Sequence, residues 1–175
     1  KFRVCGICGY AGDHRPELLD AMTTVMQHRG PDGAGAWWDR EARVGLGHRR
    51  LSIIDLSDAG RQPMCNEDET VWISFNGEIY NFADLRGPLE SKGHRFRSHS
   101  DTEVLVHLYE ERGVDMLQEL NGMFAFALWD AKKRQLMLAR DHVGVKPLYY
   151  WLDRDRIYFA SEIKAILPAL PRPVE

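Results

Sequence analysis

The chain has 175 residues, 44% of them apolar and 28% charged, with a formal charge of −3 at pH 7. That length supports one ordinary domain burying roughly 70% of its unfolded surface, and the mild acidity gives no electrostatic basis for gripping nucleic acid or an anionic membrane. No apolar run approaches the ~18 residues of a spanning helix, the start lacks the basic-then-apolar layout of a signal peptide, and three cysteines are too few for a disulfide framework, so a reducing, cytoplasmic setting is expected.

The first element is Val4–Tyr10, short, apolar and Gly-punctuated, which reads as a buried strand. Pro16–His28 places Leu18, Leu19, Met22, Val25 and Met26 at helical spacing, with Pro16 suited to a first turn and Gly30-Pro31 beyond as a stop. Ala36–Trp38, Val44–Ile54 and Val71–Phe75 are β-rich, and Asn76-Gly77 has the composition of a tight turn. Phe82–Leu89 reads as a helix, and Asp101–Arg112 as a clearer one. Its start, Ser100 to Glu103, has capping-box spacing, and Val104, Leu105, Leu108 and Tyr109 form an apolar stripe. From Met123 strands return, at Met123–Trp129, Gln135–Arg140, Leu148–Leu152 and Ile157–Ala160, with polar turns at Asp130–Arg134 and Asp153–Arg156. Strands, then helices, then strands suggest packed sheets with helices outside.

The chemistry centres on Cys5. A cysteine at a mature N-terminus unites a thiol nucleophile with an α-amine whose reference pKa, near ~8, lets it act as the thiol's base. Here Lys1-Phe2-Arg3-Val4 come first, and while they remain the Cys5 nitrogen is an amide and no base. Cys5 and Cys8 form a C-x-x-C, which invites a redox or metal reading. Thioredoxin-like pairs open a helix, however, and this pair lies in a strand-like segment; a zinc site would need two further ligands in a recognisable spacing. Cys8 reads as a small buried apolar residue.

Five segments then follow in one order: CGICG at 5–9, HRGPDGAG at 28–35, GHRRLSIID at 47–55, FNGEIYN at 75–81 and SDTE at 100–103. Together they resemble the glutaminase domain of the asparagine synthetase B family, the class II (N-terminal nucleophile) glutamine amidotransferases. GMFAFALWD at 122–130, RDHVGVKPLYY at 140–150 and FASEIKAIL at 159–167 extend the resemblance nearly end to end. It implies an α+β fold, the N-terminal nucleophile hydrolase αββα sandwich of two antiparallel sheets flanked by helices. It also implies hydrolysis of L-glutamine to glutamate and ammonia through a cysteine thioester.

By the same resemblance Cys5 is the nucleophile, and the Asn76 amide with the Gly77 backbone N–H forms the oxyanion hole, the glycine permitting close approach and an unusual φ. Arg50 takes the substrate carboxylate, a bidentate task suited to guanidinium. Asp101 takes the ammonium with help from Glu78, while Leu51 and Ile53 contribute backbone and pocket wall. His48 supports the loop, and His28–Gly33 closes over bound glutamine. Arg140-Asp141-His142 and Ser161–Lys164 are structural or interface residues. No metal or organic cofactor is implied for this half of the family's reaction. ATP and Mg are implied only for a C-terminal synthetase domain that would use the ammonia, the expected partner within the full-length protein; a homodimer is compatible with the resemblance.

The expected organisation is therefore 1–4 as a leader or remnant, 5–167 as the amidotransferase domain, and 168–175 as the start of a proline-rich linker. Activity is doubtful while Lys1–Val4 precede Cys5. Two alternatives remain: a catalytically silent module that binds glutamine or only its partner domain, and a redox or metal pair at Cys5 and Cys8.

Overall fold

The computed structural model describes residues 4–51 and 60–171. Its first sheet holds β1 (Gly6–Ala11), β2 (Gly33–Asp39), β3 (Val44–Arg50), β8 (Tyr149–Asp153) and β9 (Arg156–Ala160), in the spatial order β2-β3-β1-β9-β8. The second holds β4 (Met64–Cys65), β5 (Val71–Ile79), β6 (Gly122–Asp130) and β7 (Gln135–Arg140), in chain order. All neighbours in both sheets pair antiparallel. Helix α1 (Pro16–Val25) covers the first sheet, while α2 (Phe82–Ser91) and α3 (Asp101–Arg112) cover the second.

Strand alternation builds these four layers directly, because successive side chains point to opposite faces. In β6, Phe124, Phe126 and Leu128 pack under α3, whereas Ala127 and Trp129 pack between the sheets. In β5, Ile73 and Phe75 face the helices, and Trp72 faces the first sheet, stacking on Trp37 with ring centroids 4.7 Å apart. In β1, Cys8 and Tyr10 lie under Leu18, Leu19 and Met22 of α1. In β3, Val44 and Leu46 enter the inter-sheet layer, so the next residue of that phase, His48, is driven there too. It is 1% exposed, and its Nε2 meets the Phe75 carbonyl oxygen of the opposite sheet at 3.1 Å. One residue earlier on the same two strands, the Ser74 hydroxyl donates to the Gly47 carbonyl at 2.9 Å. Two side-chain hydrogen bonds thus tie the sheets together beside Asn76.

Five expectations are corrected. Asn76-Gly77 is not a turn: both residues lie inside β5, opposite Ala125 and Phe124 of β6, because pairing along the whole strand outweighs local turn preference. Gly77 has no left-handed φ either; its glycine is required by close packing, since a Cβ there would lie 2.3 Å from the Met123 carbonyl oxygen. The capping box is half formed. Ser100 accepts from the Thr102 N–H at 3.1 Å, but Glu103 reaches past the cap to Arg97 and Ser98. The α3 stripe is also broader than predicted, for every residue from Asp101 to Tyr109 is buried. Helix α1 ends at Val25 rather than His28, its last residues continuing as tight turns. Among the described residues no helix is long and apolar enough to cross a membrane.

Candidate active site

Cys5 sits one residue before β1, at the open end of the layer between the sheets. Its Sγ lies 3.4 Å from the Leu51 N–H, which donates to it, and 3.5 Å from the Leu51 carbonyl, to which the thiol can donate. Leu51 is there because β3 runs antiparallel to β1, with Arg49 opposite Gly6. Burial pushes the Cys5 thiol up; the Leu51 N–H and the positive charges of Lys146, Arg50 and Arg29 pull the other way without overcoming it. The resting group is therefore a thiol at neutral pH, which needs a base to become a nucleophile.

The Cys5 backbone is fixed as firmly as its sulfur. Arg29 Nε donates to the Cys5 carbonyl at 2.9 Å, and Arg29 Nη1 donates to Glu162 Oε1 at 3.1 Å. Glu162 also takes His28 Nε2 at 2.9 Å and Lys164 Nζ at 3.1 Å, and although burial opposes ionisation these partners hold its carboxyl down at about 2. The adjoining Ser161 pairs twice with Ile7, its hydroxyl accepting from the Ile7 N–H at 3.0 Å and its N–H donating to the Ile7 carbonyl at 2.8 Å. The 161–164 segment, read as structural, and the 28–33 segment, read as a closing loop, thus converge on the Cys5 end of β1.

On the opposite sheet, β5 presents Asn76 in the same phase as Ser74, toward the first sheet. Asn76 is 1% exposed, and among the described residues its Nδ2 has no hydrogen-bond partner. A buried donor left unpaired costs on the order of 1–3 kcal/mol, which the surrounding fold must offset. Phe75, just before it, is held on both sides: its carbonyl by His48 and its N–H by Gln62 Oε1 at 2.6 Å. Burial brings His48 down to about 4, so the ring is neutral and donates Nε2–H. Gln62 reaches on to the Thr102 hydroxyl at 3.2 Å, tying β5 to the start of α3.

At that start stands Asp101, 4% exposed, with Oδ2 accepting from the Ile79 N–H at 2.9 Å. Burial raises its pKa despite the backbone donors, and Glu78 adds to the rise. Glu78 itself is exposed at the end of β5. Arg50 is half-buried at the end of β3, its carbonyl accepting from the Asp32 N–H at 3.1 Å. The 28–33 loop packs on the same strand end: Gly30 lies so close that a Cβ would meet the Arg49 carbonyl carbon at 2.5 Å, and Arg49 Nε bonds the Gly30 carbonyl at 3.0 Å. Lys146 comes from the 141–146 loop, held by Asp141, which accepts from the Phe124, Val145 and Lys146 N–H groups.

Of the residues expected to form the site, Cys5, Arg50 and Leu51 come together at the ends of β1 and β3. Asn76, Gly77, Glu78 and Asp101 come together on β5 and the start of α3. Ile53 lies outside the described residues. Cys8 faces away under α1, its Sγ near Gly47, and Cys5, Cys8 and Cys65 are all free thiols. Sequence reasoning passed over Arg29, Gln62 and Lys146. Arg29 and Lys146 sit inside quoted motifs, at HRGPDGAG and RDHVGVKPLYY, and their charge within a motif was the available signal. Gln62 has none in sequence, since its role depends on two contacts distant along the chain.

Residues 4–174 match the family described as the glutamine amidotransferase domain. The chain belongs to that family. Within it, the sequence runs with asparagine synthetases: it is 46% identical over 173 residues to asparagine synthetase [glutamine-hydrolyzing] 1 of Bacillus subtilis (strain 168), covering 95% of this chain and 27% of that protein. It is 43% identical over 168 residues to asparagine synthetase B [glutamine-hydrolyzing] of Escherichia coli (strain K12), covering 95% and 29%. The chain thus spans little more than a quarter of the length of these relatives. Among solved structures, glutamine phosphoribosylpyrophosphate amidotransferase from B. subtilis superimposes with a TM-score of 0.77 at 24% identity, over 93% of this chain and 43% of that one. The fold is the N-terminal nucleophile αββα sandwich.

Proposed function

We propose that this domain hydrolyses L-glutamine to glutamate and ammonia with Cys5 as nucleophile. The observation that carries the reading is the buried Asn76 Nδ2, which has no hydrogen-bond partner among the described residues, on the strand facing the Cys5 end of β1. A donor maintained at this cost suits a negative charge that exists only during reaction.

The Cys5 α-amine, once free of the Val4–Cys5 peptide bond, takes the thiol proton directly or through water. Burial keeps the thiol protonated at rest, so this transfer is required. Sulfur then attacks the side-chain amide carbon, and the resulting oxyanion receives Asn76 Nδ2–H and Gly77 N–H. Collapse expels ammonia, protonated at nitrogen by the amine, and leaves a γ-glutamyl thioester. Water, activated by the same amine, releases glutamate and restores the thiol. Arg50 holds the substrate carboxylate, and Asp101 and Glu78 hold the ammonium, whose charge offsets the burial of Asp101. Arg29 and Glu162 position the Cys5 backbone. The ammonia is consumed by a synthetase domain of the same full-length protein, forming an amide at the expense of ATP with Mg; asparagine is the product favoured by the relatives' names.

The test is glutamate release by protein beginning at Cys5, beside the 175-residue chain and a Cys5→Ala version of the trimmed protein. Release that needs both Cys5 and trimming supports the reading. Folded, trimmed protein that binds glutamine but releases no glutamate, with or without a supplied synthetase domain, would favour the silent module and sink the catalytic assignment.

A further inference from the structure

Away from the Cys5 site, α3 carries a second polar cluster. His107, 1% exposed, sets Nδ1 at 2.9 Å from Glu110 Oε2 and 3.8 Å from Glu67 Oε2, while His94 Nδ1 stands 3.6 Å from the same Glu110 oxygen. One donor atom from each of these four residues lies within 4.8 Å of the others. A tetrahedral ion with nitrogen and oxygen ligands at ~2.0–2.2 Å needs donors roughly 3.3–3.5 Å apart, so the shorter separations already bracket that spacing.

The ligand atoms are also held from behind. Asn66 Nδ2 donates to Glu110 Oε1 at 2.7 Å, the Arg95 N–H donates to Glu67 Oε1 at 3.0 Å, and His94 Nε2 lies 3.0 Å from Glu111 Oε1. Such backing fixes ring orientation and leaves the other nitrogen or oxygen for an ion, the arrangement that surrounds protein metal centres. His107 Nε2 faces Glu103 Oε1 at 3.9 Å, too far for a hydrogen bond, and among the described residues it has no hydrogen-bond partner. That nitrogen faces Glu103, outside the four residues, which leaves Nδ1 as the atom turned to Glu110 and Glu67.

We propose that Glu67, His94, His107 and Glu110 form a binding site for one divalent transition-metal ion, with Zn²⁺ the best match to two imidazoles and two carboxylates. The site joins three segments: the turn before β5 through Glu67, the α2–α3 connection through His94, and α3 itself through His107 and Glu110. An ion there would be a structural clamp on the helix whose first residue is Asp101.

The test is calorimetric titration of the 175-residue protein with Zn²⁺, with Co²⁺ absorption as the spectroscopic readout. Expected are one ion per chain, a cobalt spectrum of nitrogen and oxygen ligation, and a melting temperature raised by Zn²⁺. His94→Ala and Glu67→Gln, both on the accessible side, should each weaken binding at least ~10–100-fold and abolish the thermal shift while leaving the circular dichroism unchanged. Cys65→Ser, which removes a thiol from the neighbouring β4, should bind as before. The proposal fails if the folded protein takes up no stoichiometric ion, if His94→Ala and Glu67→Gln bind as tightly as the parent, or if Cys65→Ser or Cys5→Ala removes the binding instead.

Discussion

Asp101 and Glu103 stand two residues apart in the first turn of α3, both carboxylates, both 4% exposed. Their chemistry diverges. Burial opposes ionisation of both, but Glu103 accepts the Arg97 N–H at 2.7 Å, the Ser98 N–H at 2.7 Å and the Ser98 hydroxyl at 2.6 Å. With His107 nearby, these partners bring it down to about 2. Asp101 is the more deeply buried, has fewer donors and has the Glu78 charge near it, so its pKa rises. One carboxylate is spent on closing the 97–98 turn against α3. The other has fewer donors to satisfy it. Equal exposure thus says little about role; how deeply each group is desolvated and how many donors it already has say more.

The comparison is broken most directly at Asp101. Asp101→Asn should weaken glutamine use by about 10²-fold, seen mainly in KM, because a charge-assisted contact to the ammonium is lost. Its melting temperature at pH 7–8 should hold or rise, since a carboxylate whose folded pKa is raised destabilises the fold once ionised. A similar kinetic loss with a large fall in melting temperature would make Asp101 structural after all. Asn76→Ala should lower kcat by roughly 10²–10³, and because Nδ2 has no hydrogen-bond partner among the described residues, denaturant unfolding should register little loss. Glu103→Gln is the mirror case: about 2–3 kcal/mol of stability lost through hydrogen bonds to a charged acceptor, with KM unchanged.

His48 tests the same logic with the opposite charge. Burial lowers its folded pKa to about 4, whereas the unfolded imidazole titrates near ~6.5. The unfolded chain binds the extra proton between those values. The stabilising contribution is therefore complete above about pH 6.5 and is lost as pH falls to about 4, on the order of 3 kcal/mol in all. Urea midpoints of His48→Gln should fall less steeply across that window than those of the parent. The smallest effect belongs to the exposed Asp68–Lys132 pair, 2.7 Å apart: Lys132→Ala should leave the melting temperature unchanged within error.

Most of the layering could be read from the sequence, because alternation in β5, β6 and β9 and helical spacing in α1 are each set by one buried face. The residues of the Cys5 site were legible only as an ordered set of motifs. Nothing local to Asn76 distinguishes a turn asparagine from a strand asparagine; pairing with β6, almost fifty residues on, decides it. Glu103 misled for a similar reason, since its spacing from Ser100 fits a capping box while its better donors lie upstream at 97 and 98. His107 and Glu110 are three apart on one helix, but Glu67 and His94 reach them only through the fold.

The position of β1 also bears on how the molecule is made. It is the middle strand of its sheet, bordered by β3 on one side and by β9 on the other, so it waits for residues 156–160 before its second row of backbone hydrogen bonds can form. Chains grow from the N-terminus, and domains fold as their parts emerge. The strand that follows Cys5 is thus synthesised first and completed last, with the Ser161–Ile7 pair closing behind it. Until then the Ser161 and Glu162 contacts at the Cys5 end of β1 are missing, and that end of the strand is assembled only once residues 156–162 have been made.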